Sequence, residues 1–276
     1  MDKLRIADLP PVARTLLMNV VCRAEENKRG DAMIRDGLAG EVLARFDPKE
    51  IAPLRMAGHD HTFTMMRARQ FDRWARAFLD AHPDCVMIEL GCGLDTRPAR
   101  IDNGRRRWIG LDLPEVVSLR RSLLPAGSRE TLLEGSLTDP AWMDRVDARE
   151  KPVFIAAEGV FVYLNGEDLR RTVARMADVF PGGILVFDAM KSTMVRLDNL
   201  HPQLHSAGAR LQWGLDDPRE VEDWSPRIRL EETWTYFGQR EPRLGAANAM
   251  RFIPFLARAN YILRYRFSAE RRAGLA

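Results

Sequence analysis

An apolar run, Val86-Met87-Ile88-Glu89-Leu90, passes straight into Gly91-Cys92-Gly93-Leu94-Asp95-Thr96-Arg97. This junction constrains the fold more than any other stretch. Glycine at 91 and 93 permits a tight bend and lets a ligand approach backbone that no Cβ shields. A second apolar run, Trp108-Ile109-Gly110-Leu111, ends on Asp112. The spacing 112 − 93 = 19 is close to the roughly 20 residues that separate a glycine turn from a ribose-binding acid in nucleoside-binding α/β folds. The pattern predicts strand, turn and helix, then a second strand that presents a carboxylate beside the turn.

The position after the glycine pair separates two cofactor classes. A dinucleotide site takes a third glycine so that the pyrophosphate can lie on a closely packed helix N-terminus. Thr96 stands there instead. Nicotinamide-dependent dehydrogenation is therefore disfavoured, and a ligand without phosphates, such as S-adenosylmethionine, suits the turn better.

Further strands are predicted at 131–134, 153–158 and 184–189, the last after the turn Pro181-Gly182-Gly183. Helical patterns alternate with them, and that rhythm means a largely parallel sheet with helices on both faces. Two late β-rich runs, 228–236 and 261–268, follow. Ahead of the first strand, a helix over 65–81 carries Phe71, Trp74, Phe78 and Leu79 on one face, and 11–47 reads as two or three helices. Gly91, Asp112 and Glu158 all close strands, so they converge where α/β sheets bind ligands, beyond the strand C-termini. The segment 191–226, with His201, His205, Trp213 and Trp224, is expected to fold over that crevice as a lid, together with the N-terminal helices.

Composition narrows the class. With 276 residues, 46% of them hydrophobic, the chain can bury a large core as a single α/β domain. No apolar run reaches the ~18 residues that span a bilayer, and no signal-peptide block follows the first basic residues. A cytoplasmic protein without membrane association is expected. Cys22, Cys85 and Cys92 lack metal-ligand spacing and read as thiols. A net charge of +3 is too small to argue for nucleic acid, and Arg105-Arg106-Arg107, with no interleaved aromatic residues, reads as a solvated loop.

The run Glu89-Leu90-Gly91-Cys92-Gly93-Leu94-Asp95-Thr96-Arg97-Pro98-Ala99-Arg100 closely resembles the first motif of the leucine carboxyl methyltransferase-like family, which includes bacterial polyketide O-methyltransferases. Other blocks agree: Arg67-Ala68-Arg69-Gln70-Phe71-Asp72, Asp112-Leu113-Pro114-Glu115-Val116 and Ala157-Glu158-Gly159-Val160-Phe161-Val162-Tyr163-Leu164. Near the start, Arg23-Ala24-Glu25 and Asp36-Gly37-Leu38-Ala39 also match, so the resemblance spans nearly the whole chain.

The resemblance implies a class I methyltransferase fold: a Rossmann-like sheet, mostly parallel with an antiparallel edge, an N-terminal helical cap and a lid insertion. It divides one domain into cap (1–64), cofactor core (65–190), lid (191–227) and edge strands (228–276). It also implies S-adenosyl-L-methionine as cofactor. Arg67 would bind the methionine carboxylate, Gly91 and Gly93 would underlie the methionine portion, and Asp112 would accept from the ribose. Glu89, Leu113 and Glu158 complete the cradle, with Arg23 on its N-terminal side. Many members carry Asp-Leu against the adenine; this chain has Ser136-Leu137, with Asp139 three residues on, which leaves two candidates to hold the base.

The resulting expectation is O-methyl transfer to a carboxylate or hydroxyl of a small, polyketide-like metabolite, without a metal. N-methylation of a small amine and a turnover-deficient cofactor-binding partner protein are the alternatives. The chemistry asks mainly for positioning, with the nucleophile in line at about 3 to 3.5 Å in a dry site. A carboxylate nucleophile needs no base, whereas a phenol with a pKa near ~10 benefits from one. Glu158, Tyr163 and the histidines of His59-Asp60-His61, read as a loop before the helix at 65–81, are the candidates for base or orienting group.

Overall fold

The computed structural model describes residues 3–10, 12–56, 58–148, 150–200 and 210–269. Its sheet has seven strands: β1 Val86–Leu90, β2 Arg107–Asp112, β3 Glu130–Glu134, β4 Val153–Ala157, β5 Ile184–Met190, β6 Ile228–Thr235 and β7 Asn260–Phe267. The order is β3-β2-β1-β4-β5-β7-β6. The first five are parallel, while β7 runs antiparallel to both β5 and β6. Chain order reverses between β1 and β4, which creates the switch point beside which such sheets bind ligands.

The central strands read as continuous apolar runs because helices cover both faces. Alternate residues of β1 serve the two sides. Val86, Ile88 and Leu90 join one core cluster with Leu169, Val173, Met176 and Ala177, the apolar stripe of a helix at Gly166–Val179. Met87 joins the other, with Phe71, Trp74, Ala75, Phe78 and Leu79 from a helix at Gly58–Ala81.

Among the described residues the helices, in chain order, are α1 Ala13–Glu26, α2 Gly37–Leu43, α3 Pro48–Ile51, α4 Gly58–Ala81, α5 Arg97–Arg100, α6 Pro114–Leu123, α7 Ala141–Asp144, α8 Gly166–Val179, α9 Ser192–Asp198 and α10 Pro254–Ala257. Asn165 caps α8 by accepting from the Glu167 and Asp168 N–H groups, the satisfaction of first-turn donors that Asn supplies at such positions. A third core cluster places Leu17, Val20, Val21 and Ala24 of α1 against Ala39 and Val42 of α2 and Leu119 and Leu123 of α6. The N-terminal helices thus pack against α6, on the β3-β2-β1 side of the sheet. Among the described residues no helix is long and apolar enough to cross a membrane.

Three readings of the sequence change. Helix α4 starts at Gly58, so His59 and His61 sit in its first turn and not in a loop. The reason is that Phe63, Met65 and Met66 extend its apolar face backward. Arg106 is no solvated loop residue: it is 2% exposed, its Nη2 donates to the Pro98 carbonyl, and its guanidinium lies 5.1 Å from the Trp108 ring. Arg105, beside it, is exposed and paired with Asp84. Finally, the connection between β6 and β7 is more than a link between edge strands, because Tyr236, Phe237, Met250 and Leu256 wall a cavity.

Candidate active site

Strand register brings the candidate residues to one edge. Leu90 pairs with Leu111 and Glu89 with Ala156, while Ala157 pairs with Phe187. The next residues, Gly91, Asp112, Glu158 and Asp188, therefore line up across β1, β2, β4 and β5. Gly91 and Gly93 have φ of +64° and +43°, the left-handed region that glycine enters without penalty. The bend is packed from both sides. A Cβ on Gly91 would sit 2.4 Å from Val160 Cγ2, and one on Gly93 2.7 Å from Leu16 Cδ2.

Gly91→Ala would meet the left-handed cost of about 1–2 kcal/mol as well as the Val160 contact. Cofactor affinity is expected to fall about tenfold, and Gly91→Ala with Val160→Ala to recover only the steric part. Calorimetry reads both; wild-type affinity in the single variant would contradict this account.

Asp112 ends β2 with its carboxylate beside the bend. Oδ2 accepts from the Gly93 N–H at 2.8 Å and Oδ1 from the Leu113 N–H at 2.8 Å. Each oxygen keeps an acceptor direction, which suits two neighbouring hydroxyls of a ribose. Burial raises the Asp112 carboxyl above its usual range, opposed by these two amide donors. Leu113 is 44% exposed next to it. Ser136 is exposed, with its hydroxyl on Thr138, whereas Leu137 is buried in the core. Asp139 is exposed and turns back to the Ala141 N–H. Glycines, an acid with free acceptor directions and an exposed apolar neighbour make a donor set that fits an adenosyl cofactor without phosphates.

Under the bend lies a buried ionic network that sequence reasoning missed. Arg97, fully buried, ion-pairs with four carboxylates: Asp72 at 2.8 Å, Asp95 at 3.0 Å, and Glu89 and Glu158 at closer range. Arg100 joins Asp72 and Asp95 at 3.0 and 2.8 Å. Desolvation, followed by the charge of Asp95, pushes Glu89 well above the carboxylate range, with Arg97 opposing. Burial acts the same way on Asp95, yet Arg97 and Arg100 outweigh it and hold Asp95 well below its usual range. Arg23 is buried, with Nε on Asp36 and Nη2 on the Leu94 carbonyl, both at 2.7 Å. From α6, Arg120 Nη1 reaches the Gly93 and Asp95 carbonyls at 3.1 and 2.6 Å. The signal was available in part, since Asp72, Asp95, Arg97 and Arg100 all stand inside the recognised blocks.

Arg67 links this network to a cavity. Its Nε donates to Glu158 at 3.0 Å and its Nη1 to Asp188 at 3.2 Å. The cavity, of about 450 Å³, is lined by Arg67, Asp188, Tyr163 and His59 among polar groups and otherwise mainly by aromatic, methionine and aliphatic side chains. Met194, Asp198 and Leu211 contribute from the segment after β5. The Gln212 and Trp213 N–H groups, which donate to the Val162 carbonyl, pin that segment down. His201 and His205 lie outside the described residues. Tyr163 faces the cavity, and burial raises its phenol. His59 is on the rim, while His61 turns away to Glu26 at 3.0 Å, a carboxylate also held by Arg243. Asp188 and Tyr236, both on the cavity wall, were not foreseen. Neither stands in a recognised block.

The sequence pattern of the leucine carboxyl methyltransferase family matches residues 17–177. The chain is 34% identical over 266 residues to the tetracenomycin polyketide synthesis O-methyltransferase TcmP of Streptomyces glaucescens, a match covering 94% of this chain and 98% of that protein. It is 28% identical over 252 residues to the S-adenosyl-L-methionine-dependent methyltransferase dpfgK of Gibberella zeae, covering 84% of each. A DUF574 family protein from Streptomyces avermitilis shares the fold at a TM-score of 0.54, with 16% identity over 90% of this chain and 96% of that one. The family match over most of the chain and the length-wide likeness to TcmP agree: the chain belongs to the leucine carboxyl methyltransferase family, whose members transfer the methyl group of S-adenosylmethionine.

Proposed function

We propose that the chain is an O-methyltransferase acting on a hydroxyl or carboxylate of a small, flat, largely apolar metabolite of the polyketide kind. The observation that carries this reading is the cavity of about 450 Å³ at the β4–β5 strand ends, walled by Phe63, Tyr236, Phe237 and several methionines. Its size falls within the roughly 300–1,000 Å³ of small-molecule sites, and aromatic and thioether walls favour ring systems over charged or peptidic ligands. The polyketide O-methyltransferase named among the relatives supports the same acceptor class.

In this reading residues 65–190 hold the donor. Gly91 and Gly93 carry its methionine portion and Asp112 its ribose, with Leu113 alongside. Ser136 and Leu137, or Asp139, meet the base. Arg67 keeps N–H groups beyond those given to Glu158 and Asp188, and these take the methionine carboxylate. Arg23 and Glu89 act through the Leu94 carbonyl and Arg97, so they are positioning residues. The donor, when bound, supplies a methyl already activated by sulfonium charge. What remains for the chain is to orient the acceptor oxygen and exclude water, which Met194, Asp198 and Leu211 after β5 and the segment 236–259 do as two walls, while Trp213 and Trp224, read from the sequence as lid residues, pack on the core instead. Glu158 is held by both Arg67 and Arg97, which speaks against an added role as partner for an amine.

Equilibrium dialysis with radiolabelled S-adenosylmethionine, followed by mass spectrometry of phenol, aromatic acid and amine acceptors, tests the proposal. Donor retention with methyl placed on oxygen is expected. No retention by folded protein, or methyl on nitrogen alone, would overturn it.

A further inference from the structure

The connection between β6 and β7 is anchored at one end and bare at the other. Near its start, Arg243 Nη1 reaches both Glu26 oxygens at 2.9 and 3.0 Å, and Glu241 is buried beside Arg69. Further on, the run Arg251-Phe252-Ile253-Pro254-Phe255 is exposed throughout. Phe252 is 79% exposed, Ile253 50% and Phe255 42%. On the other wall-forming segment, after β5, Leu197 and Leu200 are exposed in the same way. Single exposed apolar side chains are ordinary, whereas a group of them around one opening marks an interaction surface. Met250 and Leu256 flank the exposed run, Asp198 lies between the two leucines, and all three line the cavity. The apolar rim therefore borders the cavity mouth.

The exposed charges on this rim are of one sign. Within 192–200 and 249–259, Arg196, Arg251 and Arg258 are exposed, while Asp198 lines the cavity. Among the described residues none of the three arginines has a carboxylate partner. Arg196 rests on the Ser192 carbonyl of its own helix, and Arg251 lies over the Phe252 ring, 5.6 Å from its centroid. A second copy of the chain would bring like charges together across this patch, which disfavours a dimer there. A folded acidic protein would need a hollow shaped to the exposed run; a fluid lipid layer supplies one. Aromatic and aliphatic side chains interspersed with unpaired arginines match the headgroup layer of an anionic membrane, where the apolar groups enter the acyl boundary and each arginine gains from the negative surface potential.

We infer that this rim, Leu197 and Leu200 together with the tip 252–255, seats the chain on an anionic lipid surface with the cavity mouth toward the lipid. It is seating in the headgroup layer and not a span, and it departs from the expectation that membranes play no part. Lipid binding stands without the O-methyltransferase reading. Its use, passage of an apolar acceptor from the lipid into the cavity, rests on that reading.

Sedimentation of the full chain with phosphatidylglycerol-rich vesicles, against pure phosphatidylcholine vesicles, tests the inference. At low ionic strength the anionic vesicles are expected to retain the chain about tenfold better or more, and about 1 M salt to release it. Arg251→Gln and Arg258→Gln should each weaken partition about fivefold, and Phe252→Ser with Phe255→Ser about tenfold or more. None of these side chains lines the cavity, so S-adenosylhomocysteine affinity by calorimetry should stay at the wild-type value. Equal retention by neutral and anionic vesicles, no retention by either, or unchanged retention of the phenylalanine variant would overturn the inference. So would a dimer in light scattering that the same variant dissociates, because a second copy would then cover the patch.

Where the serine variant fails to fold, hydrogen exchange on the wild type decides. Anionic vesicles are expected to slow exchange in 196–200 and 249–256; slowing only elsewhere refutes the inference. Vesicle binding without methyl transfer would remove the parent reading and leave this inference standing, while methyl transfer without vesicle binding removes this inference alone.

Discussion

Arg97→Met is expected to destabilise the protein by about 3–5 kcal/mol, the loss seen when one partner of a buried ion pair is removed. Against a total stability of roughly 5–15 kcal/mol, that is a large share. Methionine replaces the packing of the stem over Phe71, which the guanidinium approaches to 5.4 Å from the ring centroid, but supplies no donors. Asp72, Glu89, Asp95 and Glu158 would then face one another across a dry space.

Arg97→Lys should recover little, because a single ammonium cannot serve a planar fork of partners. Urea unfolding monitored by circular dichroism measures the difference, and a loss below about 1 kcal/mol would sink the claim. Acid reads the same network. Burial pushes Asp72 and Asp95 upward, but Arg100 and Arg97 outweigh it and hold both below their usual range. Their stabilisation is therefore complete above an unfolded pKa of about 3.9 and is lost as pH falls through the depressed folded values. Arg97→Met should flatten that acid limb.

Asp112→Ala is expected to weaken S-adenosylhomocysteine binding by about 2–3 kcal/mol, or roughly 30- to 150-fold, through loss of two hydrogen bonds to a charged acceptor. The structure adds a second cost. The Gly93 and Leu113 N–H groups lose their acceptor, so the bend itself loosens. Asp112→Asn keeps one amide oxygen for those donors and should fall between alanine and wild type. Calorimetry that returns wild-type affinity for Asp112→Ala would remove Asp112 from the ribose position.

The sheet was legible because parallel strands buried on both faces leave unmistakable apolar runs, and Gly91 and Asp112 announce the ends of two of them. Glu158 was legible for the same reason. The ionic network was not. Arg97 and Arg100 follow a glycine turn, where arginine is ordinarily solvated, and their burial depends on Asp72 of α4 and Glu158 after β4, contacts that no local pattern encodes. Asp188 was hidden differently. It stands inside the run Ile184–Met190, where an isolated acid does not mark a strand end, and only its register beside Glu158 reveals its place. The cavity wall after β6 lacks period and motif, so it passed for a link between strands.

The division of labour in this chain has a consequence for how it can change over generations. The proposed acceptor chamber takes part of its wall from the connection between β6 and β7, whereas the proposed donor seat is tied down by salt links among α4, α5, the end of β1 and the residue after β4. Rewriting that loop can alter which ring system is accepted while leaving donor capture intact, so closely kindred enzymes can diverge in product without relearning the reaction.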